Sequence, residues 1–435
     1  MTRRVNRKRR NNTVVLKNAN PAQLEQAAAH NHSELFCMNA TAMGGELKIM
    51  NGLTWTYTGT DRGSMIPFPS LKEINADIAL DEMMAYYRAH VPKSAGCWSL
   101  HPSQPADLGI KLLARGFQPG WQPNWMALDL ESINTLHASP GGLQVSADNS
   151  TSTNEIKNLP YACENGAVSN ALMQAYPEHA QRFIATLNGE IVGHSCVFFT
   201  TGELGAAGIY NVGVIPEARL QGIGKAVVIA ACLYAKERGY RYAVLNGTGK
   251  RMYQQIGFRW ISDGLTWWLM KKDYLTDPPT KVQVSFAEAI GKANFTVLDE
   301  LSSQFADIDL NKPISNGMTL MQLAIHCKQS RAAEWLLQHG AEFTVLDAWN
   351  IGWKERASTL LISDRGEVNR LYGEGQITLL HTAAERNDVA LANLVLSAKP
   401  DLEIRDKIYN ATAPDWTEHL HRKEIAALIK KYAET

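Results

Sequence analysis

The stretch "PEARLQGIGKAVV", residues 216–228, sets Arg219, Gly222 and Gly224 directly before an unbroken apolar run over residues 226–235. Glycine costs about 1 kcal/mol relative to alanine inside a helix, so two of them at a helix start need a reason other than helix propensity. The first N–H groups of a helix have no internal partner and point outward. A strand, a glycine-rich turn and a helix therefore make an anion site. Glycine at 222 and 224 removes the Cβ atoms that would hold a pyrophosphate away from those amides, and Arg219 adds charge or orders the turn. The helix dipole contributes about 0.3–1 kcal/mol to such binding, and direct amide bonds add to it.

The spacing excludes the commoner phosphate loops. G-K-[ST] is absent, and the turn has neither a third glycine nor a ribose-binding acid after the next strand. The run R-x-x-G-x-G, here Arg219-Leu220-Gln221-Gly222-Ile223-Gly224, follows "YNVGVIP" and precedes "YRYAVLNGTGKRMYQQIGF". In that pattern residues 143–271 resemble the GNAT acetyltransferase superfamily. The resemblance implies acetyl-CoA as cosubstrate, with the backbone amides of Leu220, Gln221, Gly222, Ile223, Gly224 and Lys225 on its pyrophosphate. It also implies that the strand with Val212 and Val214 pairs with the pantetheine arm, and that a gap between this strand and "YAVLN" admits the thioester. Asn246 and Tyr253 match positions that line the gap.

Acyl transfer needs a neutral amine, a polarised carbonyl and a proton for the departing thiolate. Tyr253 is the candidate general acid; its structural alternative is an aromatic that packs a short helix on the sheet. The Val214 N–H is placed to polarise the carbonyl at a strand bulge. Glu203, before the central strand, is the candidate base, with Tyr210, Asn211 and His194 on strands that face the cleft and ordered water as the other route. Asn246 bonds coenzyme or ends its strand. Glu217 reads as a solvated acid at a helix start.

The rest of the 435 residues frames this segment. Residues 1–17 begin with Arg3, Arg4, Arg7, Lys8, Arg9 and Arg10 without an apolar partner, a basic disordered tail whose role in nucleic-acid binding is less expected than plain solvation. Residues 18–140 mix helix ("PAQLEQAAAH", "INADIALDEMMAYYRAH") with strand ("LTWTYTG") and close on "LLARGFQPGW…WMALDL". The ending "QIGFRWIS…WWLM" of residues 141–277 repeats that closing pattern, and Asn188-Gly189 between apolar alternation predicts a hairpin. A helix is expected over residues 161–175. The first segment resembles the same superfamily more weakly and has no R-x-x-G-x-G, which makes it a degenerate copy in an α+β tandem pair.

Residues 283–435 turn to paired helices. "GMTLMQLAIHCKQSRAAEWLLQHGAEF" aligns with "GQITLLHTAAERNDVALANLVLSAKPDLEIRD", Thr319 on Thr378 and Ala324 on Ala383, and resembles ankyrin repeats, with an irregular repeat between them and polar caps at each end. The threonines read as helix caps. An all-α ankyrin stack implies a protein partner or a substrate selector.

Equal numbers of basic and acidic residues, 43 of each, argue against a dominant nucleic-acid or membrane field. Six scattered cysteines form no C-x-x-C pair, which fits reduced thiols in a cytoplasmic protein and makes a metal site unexpected. The sequence thus points to an acetyl-CoA-dependent N-acetyltransferase whose amine acceptor, small molecule or protein, is open. The alternative is a non-catalytic ankyrin scaffold whose GNAT body only binds coenzyme A or is inactive.

Overall fold

Asn20 accepts from the Gln23 amide while the Gln23 side chain accepts from the Asn20 amide, and Pro21 fills the first turn; this capping box starts α1 (Pro21–Ala42). The helix runs past the expected stop at His30 because Leu35, Phe36 and Ala40 continue the buried stripe begun by Ala27 and Ala28. The computed structural model describes residues 14–150, 152–162, 166–247, 250–270, 278–314 and 317–434. The basic residues at positions 3–10 lie outside them. The expected tail also ends sooner than residue 17: Val15 and Leu16 are buried, and the Leu16 amide donates to Gly205 at 3.0 Å.

After α1 come β1 (Glu46–Met50), β2 (Leu53–Tyr57), β3 (Gly63–Pro67), α2 (Glu73–Ala89), β4 (Ser94–Leu100), α3 (Leu108–Ala114), β5 (Gln118–Pro119) and β6 (Asn124–Asp129). A connector leads to β7 (Gln144–Ala147), α4 (Asn170–Ala175), β8 (Ala180–Leu187), β9 (Glu190–Phe199) and β10 (Ala207–Val214). Then follow α5 (Ile223–Glu237), β11 (Tyr242–Asn246), α6 (Lys250–Ile256) and β12 (Arg259–Met270). Asn188 and Gly189 take φ of 52° and 89°, the left-handed pair that a two-residue hairpin between β8 and β9 requires. The helix expected over residues 161–175 is confined to α4, since Asn158 and Tyr161 also have positive φ, 60° and 61°; residues 163–165 lie outside the description.

One ten-stranded sheet carries both segments, in the order β3-β4-β12-β6-β11-β10-β9-β8-β7 with β5 on β12. The closing strands are exchanged. β6, at the end of the first segment, lies antiparallel to β11 of the second, while residues 264–270 of β12 pair with β4. The first half of β12 pairs instead with β6. Gly264 sits at this change of partner, where a Cβ would stand 2.6 Å from the Trp125 indole nitrogen. The boundary expected at residue 140 therefore falls in a loop, and the sheet continues through it; the described residues up to Pro279 form one compact unit.

Residues 280–435 form the second unit. Its helices come in pairs, such as Leu320–His326 with Ser330–Gln338 and Leu379–Arg386 with Val389–Ser397. Each first helix starts at a threonine whose hydroxyl accepts from the amide three residues on: Thr319, Thr344, Thr378 and Thr412. Thr412 follows Thr378 by the same interval, 34 residues, as Thr378 follows Thr344. The stretch read as irregular thus has its own cap at Thr344. His381, almost fully buried, joins two successive pairs: Nδ1 meets the Thr378 hydroxyl at 2.8 Å and Nε2 meets the Ala411 carbonyl at 3.1 Å.

Candidate active site

β10 and β11 run parallel but pair only at Ala207–Ala243 and Gly208–Val244. Beyond Gly208 they diverge, and the edge of β10 facing β11 is open. In the first segment β3 and β4, also parallel, pair from Gly63–Ser94 to Pro67–Trp98 and leave no such opening. The divergence coincides with a bulge: Tyr210 opposes Cys196 and Gly213 opposes His194, so two residues, Asn211 and Val212, face one on β9. Asn211 takes a left-handed φ of 50°. The Ile215 amide donates to Val192 of β9, and alternation along a strand turns the main-chain groups of Val214 the other way, into the opening.

The opening ends at the glycine turn. Gly222 is the N-cap of α5 with φ 83°, and Leu220 is left-handed at φ 63° with its side chain fully exposed. A left-handed leucine costs about 1–2 kcal/mol, and no packing of its side chain offsets that. The Arg219 guanidinium donates through Nε to the Val214 carbonyl at 3.2 Å, which ties the turn to the end of β10. Among the described residues, none of the main-chain N–H groups of Leu220, Gln221, Gly222, Ile223, Gly224 and Lys225 donates a hydrogen bond. Six consecutive donors are thus unpaired around a partly exposed turn.

The two glycines are needed for different reasons. A Cβ on Gly222 would stand 2.0 Å from the carbonyl oxygen of Ala138, so the connector between β6 and β7 passes too close for any side chain there. A Cβ on Gly224 would meet only the sulfur of Met252 at 3.2 Å and Val214 at 3.6 Å. Met252 belongs to α6, so the helix that carries Tyr253 packs directly on the turn.

Tyr253 lies on α6, just beyond the diverging end of β11, edge-to-face on Phe258 with ring centroids 5.9 Å apart. It is buried, and burial, with the neighbouring Tyr161 hydroxyl, pushes its phenol up to about 12. Among the described residues that hydroxyl has no hydrogen-bond partner. Asn246 ends β11 and its carbonyl oxygen accepts from the Asn124 amide of β6 at 3.0 Å, so half of its side chain is used in holding the exchanged strand.

The candidate bases fare differently. Glu203 is exposed in the turn before β10, at the paired end of the strand. Eight residues of β10, about 26 Å at the usual rise, separate it from the diverging end, so it cannot reach a thioester there. Tyr210, Asn211 and His194 are occupied. The Tyr210 hydroxyl lies 2.7 Å from Asn31 Oδ1 and 2.8 Å from His32 Nδ1, and burial holds its pKa well above the usual value. Asn211 Nδ2 donates to the Val168 carbonyl at 2.8 Å and its Oδ1 accepts the Val168 amide at 3.3 Å. His194 donates through Nε2 to the Pro160 carbonyl at 2.7 Å, and its bare Nδ1 is buried without a partner among the described residues. Burial lowers His194 to about 4, so it is neutral near pH 7. Ser195, next along β9, bonds the Val227 carbonyl of α5; His194 therefore faces away from α5.

Reading by motif and by the resemblance it carries points to the turn, Tyr253 and the strand edge. It missed the polar cluster of Asn31, His32 and Tyr210, whose members lie up to 179 residues apart in the chain and carry no motif. It also missed the approach of Ala138 to Gly222. Among the described residues no group of three or more His, Cys, Asp or Glu side chains could hold a metal ion, and no helix is long and apolar enough to cross a membrane.

Residues 152–258 match the family model of the acetyltransferase (GNAT) family. These residues therefore form a domain of the acetyltransferase (GNAT) family. Among solved structures it is similar to a GCN5-related N-acetyltransferase from Kribbella flavida, at 16% identity over 58% of this chain and 98% of that one, with a TM-score of 0.46. A tandem GNAT protein from the clavulanic acid biosynthesis pathway is similar at 15% identity over 50% of this chain and 78% of that one, TM-score 0.39. A GCN5-related N-acetyltransferase from Sphaerobacter thermophilus is similar at 15% identity over 59% and 95%, TM-score 0.37. No curated protein matches the chain.

Proposed function

We propose that this protein transfers an acetyl group from acetyl-CoA to an amine, with the second segment as the catalytic body and the first as a degenerate copy that walls the acceptor side. The observation that carries this reading is the open edge of β10 leading to six unpaired amides in the turn at residues 220–225. A pyrophosphate takes those amides, the pantetheine arm lies along Val212 and Val214, and the thioester carbonyl meets the Val214 N–H. Tyr253, protonated at any ordinary pH, donates to the departing thiolate. With Glu203 remote and the strand candidates occupied, the amine loses its proton through ordered water.

The helix pairs of residues 280–435 are read as ankyrin repeats that recognise a protein partner, supported by the threonine caps at Thr344, Thr378 and Thr412 at equal spacing. Incubation of the full chain with labelled acetyl-CoA and a cell extract is expected to move label onto an amine. Bound but untransferred acetyl-CoA would support instead the scaffold reading, in which the body only holds coenzyme.

A further inference from the structure

We propose that the acceptor is a small amine that also carries a carboxylate or phosphate, held in a groove along α1 with its anionic group on Arg62 and Lys93. The inference rests on the acetyltransferase reading for the identity of the reaction, and adds the class of acceptor.

The groove has a volume of about 440 Å³, which suits a small molecule rather than a folded protein. One wall is α1 from Phe36 to Met43, about 10 Å of helix. At one end it reaches the bulge of β10. Gly166 and Ala167 close it there, the Ser169 amide donates to Asn39 of α1 at 3.2 Å, and a Cβ on Gly166 would stand 2.4 Å from the Asn211 side chain. An amine at this end is separated from Asn211, at the bulge of β10, by Gly166 alone.

At the other end the lining includes Arg62 and Lys93, whose main chains are joined by a Lys93 N–H to Arg62 carbonyl bond of 3.0 Å. Neither side chain has a carboxylate partner among the described residues. Asp61 is the acid in the lining, so two cations face one carboxylate and the end is net positive. The neighbouring hydroxyls are already used: Thr56 accepts from the Met65 amide at 2.9 Å and Thr58 donates to the Gly63 carbonyl at 2.9 Å. The polar groups left over at this end are two cations and the single Asp61 carboxylate, a net positive set, and planar Arg62 beside a flexible ammonium suits an oxyanion.

The test uses matched amines on the full chain: 2-aminoethyl phosphate against ethanolamine, and β-alanine against propylamine, each titrated by ligand-observed NMR. At least one anionic member is expected to bind about tenfold or more tightly than its neutral mate, and which pair shows the larger ratio distinguishes phosphate from carboxylate. Arg62→Gln and Lys93→Gln are each expected to reduce the ratio several-fold, and the double variant to abolish it. Coenzyme A affinity should be unchanged in all three. Equal binding within both pairs, no binding of either anionic probe at millimolar concentration, or a preference that survives the double variant would overturn the proposal. A preference for anionic amines in a protein that fails to bind acetyl-CoA would leave the groove standing and remove the acetyltransferase reading instead.

Discussion

Tyr253→Phe is expected to lower turnover by about 10²–10⁴-fold, the range for loss of a positioned proton donor, while the dissociation constant for acetyl-CoA stays within about twofold. The split follows from where the hydroxyl stands. The ring packs on Phe258 and keeps the α6 helix against the turn, and phenylalanine preserves that packing. Only the unpartnered O–H is lost. Because burial pushes the phenol up to about 12, the wild-type rate should show no fall between pH 7 and 10 that Tyr253→Phe removes. Equal turnover in the two proteins would make Tyr253 a packing residue only.

Acidification is expected to destabilise the first unit steeply, through two buried histidines. His32 is lowered to about 3 and His194 to about 4, both by burial. In the unfolded chain both protonate near 6.5, so below that pH the unfolded state binds more protons than the native one, and stability falls as pH falls. The loss continues until each folded pKa is reached. At pH 4.5 the pair should have cost about 5 kcal/mol relative to pH 7, roughly half from each. His194→Gln retains a donor for the Pro160 carbonyl and removes the titration. The gap in unfolding free energy between wild type and this variant should therefore close by about 2–3 kcal/mol from pH 7 to 4.5 in urea titrations. A gap independent of pH would show that His194 is accessible to protons in the folded state.

The turn at residues 216–225 was legible because its chemistry is local: glycines, an arginine and a following helix must be adjacent in sequence to act together. The gap between β10 and β11 was expected from the family resemblance rather than from local chemistry, and the strands pair at two positions only. The hairpin at Asn188-Gly189 was equally local. What spacing could not supply was which strand lies beside which. The exchange of β6 and β12 depends on long-range packing around Trp125 and Gly264, and both closing segments look alike in sequence. Glu203 was misplaced for a related reason: an acid before a strand reads the same whether it lies at the open or the paired end. Thr344 escaped notice because it follows Thr319 after a shorter interval than the repeats beyond it, although its cap is as complete as theirs. Arg62 and Lys93 have no motif; only the fold sets them in one groove with Gly166.

Calorimetric titration of the full chain with coenzyme A and, separately, with pantetheine tests the central claim most directly, since the two differ by the nucleotide diphosphate that the turn is argued to hold. The unpaired amides of residues 220–225 predict that coenzyme A binds at least about a hundredfold more tightly, several charge-assisted bonds being lost with pantetheine. Equal affinity for the two, or no heat with coenzyme A at all, would contradict the assignment of the turn as a diphosphate cradle.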